Sequence, residues 1–116
     1  MNHKDLDAWK QAMELVENIY RVTASLPKEE TYGLAAQLRR AAISIPSNIS
    51  EGSARNSPKE ILNFLNMSLG SIAEVETQLL ISERLGYADI RTSLNKLTEV
   101  RALILGLRNS IRRKYT

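Results

Sequence analysis

At 116 residues, with 43% hydrophobic and 25% charged side chains, the chain has the size and composition of one domain that buries a core of its own. It contains no cysteine, which excludes a disulfide-stapled fold and a thiolate metal centre. The net charge is only +3, no apolar run reaches the length of a membrane span, and no secretory leader pattern follows Met1. These features predict a single cytoplasmic domain over residues 1–116 with no membrane partner.

Strand signals are missing, whereas apolar residues recur at helical spacing in four segments. The first carries Leu6, Trp9, Met13, Val16 and Tyr20 as its main stripe, flanked by Leu15, Ile19 and Val22, and ends at Leu26-Pro27. The single histidine, His3, precedes it at what the sequence suggests is a frayed end.

The second segment carries Leu34, Leu38, Ala41, Ile45 and Ile49, and the spacing predicts a stop at Gly52 in a left-handed terminal conformation. Pro46 lies inside it. A proline in a helix interior removes one amide and crowds the preceding turn, at about 3 kcal/mol. The apolar register nevertheless passes through unbroken, so a continuing, kinked helix is expected, with the freed carbonyl taken by water or a side chain.

The third segment opens on Ser57-Pro58-Lys59-Glu60, a capping-box sequence with proline at the first helical position. Its stripe runs through Ile61, Leu65, Leu69, Ile72, Val75 and Leu79 to Gly86, with Leu62, Phe64 and Met67 beside it. The fourth is expected to begin at Asp89 as N-cap and carries Leu94, Leu97, Val100, Ile104, Leu107 and Ile111, with Leu103 and Leu105 in addition. Four helices joined by short loops predict an all-α, antiparallel, up-down-up-down four-helix bundle.

The apolar stripes are broader than the ~100° that packing on one bundle core requires. Self-association into a homo-oligomer covers the surplus; a wide core inside one subunit is the alternative. The second helix also carries a polar stripe, Gln37, Arg40, Ser44, Asn48 and Glu51, at spacings of three, four, four and three. Ser71, Glu74 and Gln78 give the third helix a matching set, and an Arg40–Glu74 pair is predicted to fix register between the two. A polar groove that binds a ligand is the other reading.

Charge is concentrated late in the chain. From Asp89 onward seven basic residues face only Asp89 and Glu99. Arg101, Arg108 and Arg112, spaced seven and four apart, share one helix face, and Arg113 and Lys114 extend the patch into the tail. Phosphate-directed nucleic-acid binding fits this pattern. Leu105, between Arg101 and Arg108 on the same face, argues instead for a contact with a protein partner, and cations near a helix C-terminus are favourable in any case. Catalysis has no support: no helix contains a histidine, so neither a Glu-x-x-His di-iron centre nor a general base for a serine is available. Glu74 and Glu76, two apart, point to different faces. No cofactor, metal ligand or catalytic residue is assigned.

The strings "GLAAQLRRAAISIPSNISEGSARNSPKEILNFL" and "GSIAEVETQLLISERLGY", with "DLDAWKQAMELVENIY" before them, resemble the four-helix-bundle proteins encoded in intervening sequences of bacterial large-subunit ribosomal RNA genes. The resemblance covers Leu6 to Tyr87 and, more loosely, the fourth helix; Ser50 stands where that family more often has alanine. It implies a left-handed bundle assembled as a ring, a pentamer, with a role beside structured or ribosomal RNA. Related bundles are accessory subunits of the reverse transcriptases of diversity-generating retroelements, which implies a polymerase-like protein partner as the alternative to RNA.

Overall fold

A computed structural model describes residues 1–115. Four long helices make up the fold: α1 (Asp7–Ala24), α2 (Leu34–Ser53), α3 (Pro58–Arg84) and α4 (Arg91–Tyr115), with single 3-10 turns at His3–Asp5 and Lys28–Glu30. α1 and α3 each pack on both α2 and α4, while the backbones of the diagonal pairs stay farther apart, so the four rods surround one core. The molecule measures 47 × 22 × 20 Å, the length expected of helices rising ~1.5 Å per residue. The all-α four-helix bundle read from the sequence is the fold found.

The core is built mostly from the expected stripes, including Leu38, Ile45 and Ile49 of α2, Leu65, Ile72 and Leu79 of α3, and Leu97 and Ile104 of α4. α1 is the exception. Its buried face is Ala8, Ala12, Leu15 and Ile19, one residue back from the predicted stripe and so rotated by about 100°. Met13 and Tyr20 of that stripe are exposed, and Leu6, Trp9 and Val16 are half-buried. The physical reason is size: Ala8 and Ala12, with Ala35, Ala41 and Ala42 of α2, are buried small side chains, and small side chains at a contact let helix axes come close.

α2 runs unbroken through Pro46 to Ser53. Three successive carbonyls around the proline take side-chain donors, though among the described residues not that of Ala42, which the proline frees: Ile43 from Ser47 Oγ (2.8 Å), Ser44 from Asn48 Nδ2 (2.9 Å), and Ile45 from Ser68 Oγ of α3 (2.9 Å). Gly52 is not a left-handed stop as expected but lies within the helix, buried against α3. A Cβ there would stand 3.1 Å from Phe64 Cβ and 3.4 Å from the Ile61 carbonyl oxygen, so glycine serves close approach. The left-handed residue is Gly86, at φ 75°, where Tyr87 N reaches back to the Ser82 carbonyl at 2.9 Å to close α3.

Two predicted caps form differently. Ser57 Oγ accepts from Glu60 N at 3.4 Å, but the Glu60 carboxylate does not return the bond, so only half of the capping box exists. α4 starts at Arg91, one residue later than an Asp89 cap would set it: its backbone ladder opens with Leu94 N on the Ile90 carbonyl (2.8 Å), while Asp89 Oδ1 still accepts from Arg91 N (3.1 Å) in the manner of a cap. The N-terminal end is tied down rather than frayed. The Met1 ammonium donates to the Ser53 carbonyl (3.3 Å), and the His3 ring sits edge-on to Trp9 at 5.2 Å. No helix among the described residues is long and apolar enough to cross a membrane.

Candidate functional site

Arg101, Arg108 and Arg112 all lie on the flank of α4 that faces α3. Arg101 Nη2 pairs with Glu76 Oε2 at 3.2 Å, both side chains remaining part-exposed. Such a pair adds at most about 1 kcal/mol. Arg108 Nη1 donates to Asn66 Oδ1 (3.3 Å), and its Nε is buried without an acceptor. Arg112 lines a groove of about 910 Å³ between the end of α4 and the start of α3, together with Lys59, Asn63, Asn66 and Tyr115. Arg113 and Lys114 follow in the last turn, each about 100° further round the helix. Both are exposed, and Lys114 Nζ lies 5.4 Å from the centroid of the Tyr115 ring. Leu105 is half-buried beside this seam.

Sequence reasoning missed the contribution of α3. Lys59, Asn63 and Asn66, spaced four and three apart, form a polar stripe that the same periodicity argument would have found.

The polar stripe of α2 divides. The Ser44 and Ser71 hydroxyls are hydrogen-bonded to each other across the helix pair, and Ser71 Oγ also reaches the Met67 carbonyl (3.2 Å). Asn48 turns back onto Ser44, as described above. Glu51 leaves the stripe for an exposed pair with Arg55 at 3.0 Å. Gln37, Arg40, Ser44, Glu74 and Gln78 line an open cleft of about 420 Å³, with Gln78 Oε1 buried and unpartnered. The predicted Arg40–Glu74 pair does not form: no ion pair among the described residues joins them. Both side chains are exposed, and an exposed pair gains too little to offset the ordering of two long side chains. The arginine that locks α2 to a neighbour is Arg39. Its Nε donates to Thr23 Oγ1 (2.8 Å), and its guanidinium lies 4.6 Å over the Tyr20 ring.

The surplus apolar surface is only partly absorbed. Leu15 and Ile19 are inside, and Leu62, Phe64, Leu103 and Leu105 are half-buried. The displaced α1 stripe instead forms the wall of a shallow trough of about 320 Å³, where Trp9, Met13 and Val16 face Ile43 and Pro46 of α2. Ile43 keeps 42% of its surface in water. A second exposed group, Leu80, Ile81 and Leu85, lies toward the end of α3.

Electrostatics are perturbed at the far end of the bundle. The Arg91 guanidinium and amide hold the Asp89 carboxyl down at about 2. Partial burial, and then the carboxylates of Glu30 and Glu29, push the Tyr87 phenol up, its hydroxyl donating to Glu30 Oε2 at 3.3 Å.

The family model described as 23S rRNA-intervening sequence protein matches residues 4–106. Among solved structures, the chain is similar to a protein of unknown function from the S23 ribosomal protein family of Bacteroides thetaiotaomicron VPI-5482. Identity is 23%, the TM-score is 0.80, and the match covers 94% of this chain and 99% of that one; at this identity the likeness concerns the fold. No curated protein matches. The chain belongs to the 23S rRNA-intervening sequence protein family.

Proposed function

We propose that the protein is a non-catalytic, self-assembling helical bundle of the cytoplasm that binds RNA through the basic end of α4 and the adjoining start of α3. The observation that carries this reading is the charge of α4: beyond Glu99 it bears Arg101, Arg108, Arg112, Arg113 and Lys114 and no acidic residue. Lys59 of α3 adds to it at the groove. The family's link to 23S rRNA genes makes ribosomal RNA the first ligand to try.

Assembly is supported by two unlike apolar faces, the α1–α2 trough and the Leu80–Ile81–Leu85 group. Contacts between unlike faces are head-to-tail, and they close into a ring where the rotation between subunits closes and run on as a filament where it does not. Five subunits is the number that the family resemblance implies. A ring would present its basic ends together, and linked weak contacts raise avidity steeply.

The test is titration of labelled structured RNA at two salt concentrations, with sedimentation of the free protein alongside. Replacing Arg108, Arg112 and Arg113 with alanine should weaken binding and reduce the salt slope by about 2, while leaving assembly intact. No binding at low salt defeats the RNA reading. A second reading, a scaffold that docks an acidic protein such as a polymerase, is favoured by one observation: Arg101 and Arg108 are already engaged with α3. Loss of assembly in the triple variant would assign Arg108, Arg112 and Arg113 to the contact between subunits rather than to a ligand.

A further inference from the structure

The α3–α4 groove holds more than charge. Lys59 and Arg112 supply cations, Leu62 an apolar wall, Asn63 a side-chain amide, and Tyr115 a ring that is 54% exposed. Glu60 lines the same groove as its one acidic side chain among the described residues. The Asn63 amide makes no hydrogen bond within the chain among the described residues, and Asn63 is exposed. Phosphate attraction needs only the lysine and arginine; an amide and an aromatic ring beside them are what a nucleobase requires, for its edge and for its face.

The first turn of α3 is not the anchor. Its Ser57 hydroxyl already takes the Glu60 amide, and Pro58 has no N–H to offer. At about 910 Å³ the groove falls within the ~300–1,000 Å³ range of small-ligand sites.

We propose that this groove takes an unpaired RNA nucleotide, with the base stacked on Tyr115, its edge against Asn63, and the adjoining phosphates on Lys59 and Arg112. The inference rests on the RNA reading above and narrows it to single-stranded or looped RNA. A base inside an A-form duplex is stacked on both faces and cannot reach a ring within a groove, and duplex RNA is read through backbone and shape. An unpaired base has a free face, and stacking on an aromatic side chain is how single strands are commonly held.

The experiment compares a short fluorescein-labelled single-stranded RNA with the duplex of the same sequence, by anisotropy at low salt. Wild type is expected to bind the single strand about tenfold or more tighter than the duplex, on the scale of one base–aromatic stack. Tyr115→Leu should remove about tenfold of single-strand affinity, Tyr115→Phe should retain it, and Asn63→Ala should weaken it; duplex binding should not change in any of the three. Both positions are exposed, so unchanged circular dichroism melts will show that the variants fold. Equal binding of single strand and duplex, or equal losses for both ligands, overturns this inference while leaving RNA binding standing. Failure to bind either ligand overturns both.

Discussion

Leu15 and Met13, two residues apart on α1, have opposite environments: Leu15 is 0% exposed, whereas Met13 keeps 39% of its surface in water. Leu15→Ala empties a site in a filled core, where lost transfer energy and the residual cavity together cost about 3–4 kcal/mol. For a chain of this length, 1 kcal/mol moves the melting temperature by about 4 °C. The variant should therefore melt about 12–16 °C below wild type, independently of protein concentration. Met13→Ala leaves the inner face of α1 intact, and its cost within one subunit should be about 1 kcal/mol or less. If Met13 lies between copies of the chain, its loss should instead appear as a melting temperature that falls most where the protein is associated, since assembly stabilises by mass action. Circular dichroism melts of both variants at two widely separated concentrations give the answer. Equal losses at the lower concentration would refute the placement of α1's core face, and with it the trough on which the assembly argument stands.

Two further outcomes follow from polar contacts. Asn18 Oδ1 accepts from Ser93 Oγ at 2.6 Å, both residues being buried between α1 and α4. Ser93→Ala alone strands the asparagine and should cost about 1–3 kcal/mol in urea denaturation, whereas the double variant Asn18→Leu/Ser93→Ala should recover most of it. A double variant no better than the single would show that the pair is not what Ser93 stabilises. At the start of α4, the Asp89 carboxyl, held at about 2 against an ordinary 3.8, contributes stability that is present above about pH 4. That contribution is lost as pH falls through about 2, because the folded state binds the proton less readily than the unfolded chain. Carboxyl carbon NMR should place the Asp89 midpoint near 2 in wild type and part of the way back toward 3.8 in Arg91→Ala, which removes the guanidinium but keeps the backbone amide at position 91; an unchanged midpoint in the variant would exclude the guanidinium as the main cause.

Much of this architecture was legible because helices are local. Ser57-Pro58 set where α3 begins, Gly86 where it ends, and the register Leu38-Ala41-Ile45-Ile49 carried α2 past Pro46. What periodicity could not supply is rotation about the helix axis when two apolar faces compete. On α1 the large residues Trp9, Met13, Val16 and Tyr20 make the more conspicuous stripe, yet Ala8 and Ala12 go inside with Leu15 and Ile19. Gly52 was misread for a related reason: its lack of a side chain answers Phe64 and Ile61 on another helix, a demand with no local signature. The candidate site divides along the same line. The arginines of α4 announce themselves by spacing, whereas their neighbours Lys59, Asn63 and Asn66 belong to another helix, earlier in the chain.

By itself the sequence determined the number of long helices, most of their ends, the main core residues and the basic end of α4. These depend on residues within one or two turns of each other. Only the tertiary structure decided which apolar face of α1 stays in water, that Arg39 rather than Arg40 locks onto a neighbour, and that α3 completes the groove beside Arg112. Each of those turns on how closely two helix axes approach, which is set by the fit of side chains from distant parts of the chain.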